Sequence, residues 1–442
     1  MKAVILAAGK GERMGNRFNF KPKCLVTILG LTLIERTLLI LSQCGFSEAI
    51  VVLGYEGEVV KEKIQLKKFP QLTIAFEYNE SWETGNMGSF LKALNGISPN
   101  EYFLLLMSDH LYDPEIIRKA AMKIHEQQLV MCYDDSLDSD ELAEASKIIV
   151  NEKGDVVSTG KNMESSLADC GAMVLNGNIA ASSEKPAIAK ELSEMLSNYA
   201  KNNHIKALNI HGNYWQDIDT CKDFAKARRK LLKSLVSPRE GLISRKINRY
   251  VSLRITERIA NYGIQPNMIS VISFLVSVFS GLFFIFHIAF WGGVIAQLGS
   301  IIDGVDGELA RAKFLSSKYG GYFESILDRY GDSVIILGMA YYSLALIKFE
   351  IVLFVALMAL IGSVMSMLSK EKFHSEFGSP YIPDLYDGWT RYLPSNRDGR
   401  LFIVFLGGIF DQVFPALIVL AILSNFHALY RLMYSVKKIK VK

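Results

Sequence analysis

The chain has 442 residues, of which 50% are hydrophobic and 21% charged, enough length for more than one domain and too apolar a composition for a disordered chain. Lys and Arg number 49 against 45 Asp and Glu, and a net charge of +4 gives no electrostatic argument for a nucleic-acid partner. A mean hydropathy of +0.20 is high for a soluble globule with this much charge, so the charges must be unevenly spread.

The start, MKAVILAAGKGERMG, has a short apolar run followed at once by glycines and charges. A secretory signal needs a longer apolar region and a cleavage site, so the N-terminus is expected to stay in the cytoplasm. Cys24, Cys44, Cys132, Cys170 and Cys221 form no close pair of the zinc or redox kind and read as reduced thiols. Over residues 1–232, KAVILAA, AIVVLGY, LTIAFEY and YFLLLMSD read as strands with helical stretches between them. Such alternation predicts an α/β, Rossmann-like domain with a mostly parallel sheet.

Beyond residue 233 the pattern changes. Residues 259–302 contain no Asp, Glu, Lys or Arg, enough for two membrane helices of about 20 residues each, joined near 287–293. Apolar stretches follow at 333–347, 351–369, 401–410 and 412–430, which predicts an all-α domain of six transmembrane helices over 263–442. Basic residues gather on one side, and only Lys348 falls on the other, so both termini are expected in the cytoplasm of a multi-pass protein of the cell membrane. In the joining segment 233–262, Ile243, Ile247, Val251, Ile255 and Ile259 recur every fourth residue, with Arg245, Lys246, Arg249, Arg254 and Arg258 on other faces. That is the pattern of an amphipathic helix on the inner leaflet, with a linker helix packed on protein as the alternative.

The first strand runs into LAAGKGERMG, where Gly9, Gly11 and Gly15 let backbone N–H groups approach phosphates and Lys10 and Arg13 supply positive charge. The P-loop pattern is excluded because no Gly-Lys-Ser/Thr follows. A second piece, KPKCLVTILGLTLIERTL, adds Lys21 and Lys23 around a proline before a helix. Together they resemble the sugar-phosphate nucleotidyltransferase family, which joins a nucleoside triphosphate to a phosphorylated sugar or alcohol. The resemblance extends to Asp109 in MSDH and Asp217 in WQDIDT, and implies that these aspartates hold magnesium. It implies further that Arg13 and Lys23 contact the triphosphate and the incoming phosphate, and that the backbone of Leu6, Ala7, Ala8, Gly9 and Gly11 holds the nucleotide. ETGNMGSF, with Asn86, Gly88 and Ser89, resembles the base-reading segment. The plain alternatives are a helix cap at Asp109 and a turn acid at Asp217 or Asp219.

In DGVDGELARAKFLSSKYGGYFESILD, Asp303 and Asp306 are three apart and Glu324 and Asp328 four apart, so each pair shares a helix face. Neighbouring helices would present all four acids to one point. Such a cluster near lipid implies hard cations, magnesium or manganese, with a salt-bridge network through Arg311 and Arg329 as the alternative. The string resembles the CDP-alcohol phosphotransferase signature D-x-x-D-G-x-x-A-R, eight residues, G-x-x-x-D-x-x-x-D, with Glu324 in place of the third aspartate, and QPNMIS resembles the family's entry segment. The resemblance implies that Asp303, Asp306 and Glu324 bind metal, that Asp328 ligates it or takes the proton of the attacking hydroxyl, and that Gly307, Ala310 and Arg311 hold the CDP moiety. Lys370, Lys372, Arg397 and Arg400 lie on the side where an acceptor's phosphate would need cations, or serve only as inside-positive anchors.

The combination resembles the bifunctional enzymes of thermophiles that make CDP-inositol from CTP and inositol 1-phosphate, then transfer phosphoinositol to a second inositol 1-phosphate, giving di-myo-inositol phosphate phosphate and CMP. That resemblance implies metal at both sites, CTP, inositol 1-phosphate and CDP-inositol as substrates, and a homodimer through the membrane domain. Two alternatives stay open. The membrane half could be a phospholipid synthase using a lipid alcohol, or the chain could be a nucleotide-sensing ion transporter.

Overall fold

In the computed structural model, residues 1–11, 22–180, 191–237 and 240–439 are described, so Arg13, Gly15 and Lys21 lie outside the described residues. The chain divides into two units, Met1–Leu231 and Leu232–Lys442.

The apolar runs of the first unit become the strands Lys2–Ala7, Glu48–Leu53, Thr73–Tyr78 and Tyr102–Met107. They lie parallel, in the order Tyr102–Met107, Lys2–Ala7, Glu48–Leu53, Thr73–Tyr78. Val4, Ile5, Val51, Leu104 and Leu105 are fully buried, as expected of strands covered on both faces. Parallel neighbours need crossovers, supplied by Leu33–Gln43, Gly57–Gln65 and Asn86–Leu94. The strand Ala168–Asn176 runs antiparallel to Tyr102–Met107 and extends the sheet. LTLIERTL starts its helix with a capping box, in which Thr32 and Glu35 satisfy each other's backbone N–H. The glycine-rich loop and Asp109 therefore follow the C-terminal ends of adjacent strands, where parallel sheets place their ligands.

In the second unit residues 286–288 join the helices Pro266–Ile285 and Ala289–Ala312 close to the predicted turn. Ser270, Ser273, Ser277 and Ser280 form a buried stripe on Pro266–Ile285, while Val271, Ile272, Leu275 and Phe279 are exposed. A polar inner face with an apolar outer face suits a helix surrounded by lipid. Both Ala289–Ala312 and Lys318–Ser343 pack on this helix. At the second contact a Cβ on Gly338 would lie 2.4 Å from the Gly281 carbonyl oxygen, so the helices meet backbone to backbone.

The expected six helices divide by character. Pro266–Ile285, Phe349–Phe377 and Val413–Tyr434 are long and apolar enough to cross a membrane by length and composition. Ala289–Ala312 and Lys318–Ser343 have 24 and 26 residues but carry the acidic motif. Arg397–Ile409 has 13 residues, about 20 Å of helix against a hydrocarbon core of about 30 Å.

The predicted amphipathic helix is a π-turn, Ser244–Asn248, leading into the helix Arg249–Ile259. Its apolar stripe is outward at Ile247 and Val251, whereas Asn248, Arg249, Ser252 and Thr256 are buried. Arg249, which the sequence places off the apolar stripe, points into protein.

Asp387, fully buried in the segment after Phe349–Phe377, accepts from Arg431 Nε at 2.9 Å and Nη2 at 3.1 Å. Removing one member of a buried pair typically costs about 3–5 kcal/mol. Asp387→Ala is therefore expected to lower the thermal midpoint of the detergent-solubilised protein markedly, and Asp387→Asn, which keeps acceptor and shape, to lower it less.

Candidate functional sites

The first site forms at a separate two-stranded ladder whose first strand follows the strand Tyr102–Met107 in the chain. Trp215–Asp217 pairs antiparallel with His110–Tyr112, setting Asp217 opposite His110. The Ile218 N–H donates to the Asp109 carbonyl at 3.2 Å, so two acids far apart in sequence become neighbours. Oxygens of Asp109 and Asp217 and a ring nitrogen of His110 lie within 4.8 Å of one another. After Pro22 the chain makes a 3-10 turn, Lys23–Leu25, which turns Lys23 inward. Its ammonium donates to Asp109 at 2.6 Å and to Asp219, and lies 3.4 Å from Asp217. Gly11 has φ of 74°, and a Cβ there would sit 2.7 Å from the Lys23 Cβ, so the glycine-rich loop closes directly over this lysine.

Burial works against the Lys23 charge, but Asp109, Asp217 and Asp219 together hold its pKa above the ordinary lysine value. Burial also works against ionised Asp109, yet Lys23 and His110 hold it well below the usual carboxylate range. The Asp217 carboxyl is raised by burial and by Asp109 and Asp219, against His110 and Lys23. His110 is raised in spite of burial by Asp217 and Asp109. The site thus sets three acids against one lysine and one histidine, an excess of negative charge, and Asp109 and Asp217 could share a hard divalent cation.

The cluster opens on a cavity of about 700 Å³, lined by Leu6, Ala8, Gly9, Asn86 and Ser89 among others. The Asn86 side-chain oxygen accepts from the Leu192 N–H at 2.7 Å, and the Ser89 hydroxyl accepts from Asn79 at 3.0 Å. Ala7 is 1% exposed within the sheet, and Gly88 packs against Asn79 and Thr84. Asp169, unmarked by any motif, also lines the cavity, and burial pushes its carboxyl up to about 6. Lys161, Glu141 and Lys226 join it from separate elements, and no local spacing in the sequence brings them together.

At the second site, oxygens of Asp303, Glu324 and Asp328 lie within 4.8 Å of one another. An all-carboxylate set at this spacing fits a hard divalent cation. The fourth acid behaves differently. Asp306 is 3% exposed, and its carboxylate accepts from the Ser270 hydroxyl at 2.6 Å and from the Gly307 N–H. Ser273 reaches the Gly299 carbonyl at 3.2 Å and Asp303 at 3.5 Å, tying the Pro266–Ile285 helix to both acids.

Cations surround the triad. An Arg397 Nη1 lies 2.6 Å from Asp303 and 3.0 Å from Asp328, while its Nε is 3.1 Å from Asp332. Arg400 donates to Asp332 at 2.8 Å, and Lys370 to Asn396 at 2.8 Å. Asp332, one turn beyond Asp328, thus anchors two arginines and escaped the sequence reading. Lys372 is exposed and pairs with Glu376 at 2.7 Å. Arg329 is 3.7 Å from Asp328, and Arg311 donates to the Leu235 carbonyl at 2.7 Å. Gly307 leaves room for that guanidinium, since a Cβ there would lie 3.0 Å from Arg311 Nη1. Ala310, the small residue before Arg311, is half-buried.

Residues 3–213 match the family model described as MobA-like NTP transferase domain, and residues 264–381 that described as CDP-alcohol phosphatidyltransferase. A protein of Thermococcus kodakarensis named bifunctional IPC transferase and DIPP synthase is 34% identical over 99% of this chain and 98% of its own. The chain belongs to this bifunctional family. A member from Archaeoglobus fulgidus is 35% identical over 92% of this chain and 78% of its own. An archaetidylinositol phosphate synthase of Pyrococcus horikoshii is 30% identical over 42% of this chain and 90% of its own. The protein is accordingly an enzyme with a nucleotidyltransferase domain and a CDP-alcohol phosphotransferase domain.

In this member of the bifunctional family, Lys23 contacts all three of Asp109, Asp217 and Asp219. Hydrogen bonds to charged groups contribute roughly 1.5–3 kcal/mol. Lys23→Met is expected to lower thermal stability on that scale in chelator, and added manganese to recover more of the loss than it adds to wild type, as scanning calorimetry would measure.

Proposed function

We propose that the first unit makes CDP-inositol and pyrophosphate from CTP and inositol 1-phosphate, and that the second passes phosphoinositol from CDP-inositol to another inositol 1-phosphate. The products of the second step are di-myo-inositol phosphate phosphate and CMP. The observation that carries this reading is the nearly end-to-end match to the bifunctional relatives, joined to two separate acid clusters, one beside a nucleotide-sized cavity and one among apolar helices.

In the first reaction a phosphate oxygen of inositol 1-phosphate forms a bond to the α-phosphorus of CTP while the bond from that phosphorus to the bridging oxygen breaks, releasing pyrophosphate. The loop from Leu6 to Gly11 holds the nucleotide, Asn86, Gly88 and Ser89 meet the base, and Arg13 and Lys23 align the two anions, whose repulsion is the main obstacle. In the second reaction the acceptor hydroxyl attacks the phosphorus that bears inositol, CMP leaves with the bridging oxygen, and Asp328 takes the hydroxyl proton. Gly307, Ala310 and Arg311 hold the CDP part, while Lys370, Arg397 and Arg400 face the acceptor's phosphate. Asp109 and Asp217 at one site, and Asp303, Asp306, Glu324 and Asp328 at the other, would hold magnesium or manganese, which would supply charge neutralisation of phosphate oxygens.

The same reading makes the protein a multi-pass membrane enzyme, dimeric through its helical half, with the N-terminal unit and the C-terminus in the cytoplasm. The positive residues before the first apolar helix and after the fourth favour that orientation. A second reading, transfer to a lipid alcohol, is favoured by the likeness of the helical half to the archaetidylinositol phosphate synthase.

The test is phosphorus NMR of the purified protein with CTP, magnesium and inositol 1-phosphate. Pyrophosphate and a transient CDP-inositol are expected, followed by a phosphodiester that also carries a phosphomonoester. Asp328→Ala is expected to let CDP-inositol accumulate, with phosphodiester formation slowed on the order of 10²–10⁴-fold. A phosphodiester that appears only when lipid extract is added would establish the second reading instead.

A further inference from the structure

Glu308 lies within the signature string yet has no place in the proposed chemistry, and it is fully buried. A carboxylate so buried is costly without partners. Its partners all come from the joining segment: Arg249 Nη1, the Ser252 hydroxyl at 2.6 Å and the Thr256 hydroxyl. Those three residues recur at helical spacing on one face of Arg249–Ile259. The same Arg249 Nη1 donates to the Gly304 carbonyl at 2.8 Å, one residue after Asp303. A Cβ at Gly304 would sit 2.7 Å from that nitrogen, so this glycine of the motif makes room for the arginine.

The opposite edge of Arg249 is held from earlier in the joining segment. Its Nε donates to one oxygen of Glu240 and its Nη2 to the other, a two-point grip. The Ser237 N–H donates to Glu240 at 2.9 Å and fixes that carboxylate in turn. Glu240 also lies 3.9 Å from Arg311 Nη2, and the Leu235 carbonyl accepts a hydrogen bond from Arg311 Nε at 2.7 Å. With its Nε edge taken, Arg311 would meet a diphosphate by its Nη edge. Residues 304, 308 and 311 recur at helical spacing, so the joining segment grips one face of the turns that carry Asp303 and Asp306.

We infer that the joining segment is a working wall of the second site, in which Leu235, Glu240 and Arg249 are positioning residues that aim Arg311 and set the turn bearing Asp303. This rests on the proposed use of a CDP-alcohol at that site. The sequence between the halves is then more than a tether: its hydrogen bonds determine how tightly the second site takes the nucleotide end of its substrate.

The test is steady-state kinetics of the full-length protein supplied with CDP-inositol, for Glu240→Gln, Glu240→Asp and Arg249→Lys, with melting temperatures measured in parallel. Loss of supporting partners around a charged site typically costs 10–100-fold, and a rise of about tenfold in KM for CDP-inositol is expected for Glu240→Gln and Arg249→Lys, with kcat changed less. Glu240→Asp should recover part of the affinity, and CTP consumption by the first unit should not change. Folded variants with wild-type KM, or losses confined to kcat and melting temperature, would overturn the inference. If wild type forms no phosphodiester from CDP-inositol, the reading of the reaction fails. A calorimetric affinity for CDP-inositol that still differs between wild type and Glu240→Gln, the first site being common to both, would sustain this inference, and equal affinities would end it.

Discussion

Asp303, Glu324 and Asp328 bring ligand oxygens within 4.8 Å of one another on helices packed against apolar spans, and carboxylates at that spacing repel unless cations stand among them. The surrounding structure answers that constraint. Arg397 contacts two of the three acids, Asp332 holds Arg397 and Arg400 in turn, and a buried serine stripe on Pro266–Ile285 supplies hydroxyls on the face opposite its exposed apolar residues. Glycines at helix contacts complete the arrangement, since backbones must approach closely for acids on separate helices to face a common point.

The first unit meets a similar electrostatic demand with different means. Its acids stand at the ends of strands, assembled by a three-residue ladder, and Lys23 supplies an opposing charge from a 3-10 turn. Parallel strands gather loops at one edge, which suits a nucleotide, whereas helices in lipid offer only side chains, which suits a phosphate already activated. Under the proposed reading the two chemistries follow in order, and a tether raises the effective concentration of the intermediate without requiring a tunnel.

Much of this was legible in the sequence for identifiable reasons. Three of the four parallel strands are continuous apolar runs, a pattern that burial on both faces demands, while Thr73–Tyr78, at the edge of the order, has no buried residue and is legible by its apolar alternation. Lys23 and Asp109 were marked by short motifs whose backbone geometry is local. Asp306 shares a helix face with Asp303, but periodicity cannot show that Ser270 on another helix takes its carboxylate. Arg397 was read as a cation for phosphate, and its contact with Asp303 and Asp328 depends on how distant helices pack. Arg249 was read only as lying off the isoleucine stripe, and periodicity cannot show that Glu240 and Glu308 take its guanidinium. Asp332 and Glu308 were passed over because Arg397 and Arg400 for one, and Arg249 for the other, come from other elements, and Asp169 because what marks it is its place in the cavity wall.

The most direct measurement of the central claim is anomalous diffraction from crystals grown in manganese. The account predicts a peak bounded by Asp303, Glu324 and Asp328 at about 2.0–2.6 Å from their oxygens. No peak there, with the three carboxylates turned away from one another, would contradict it.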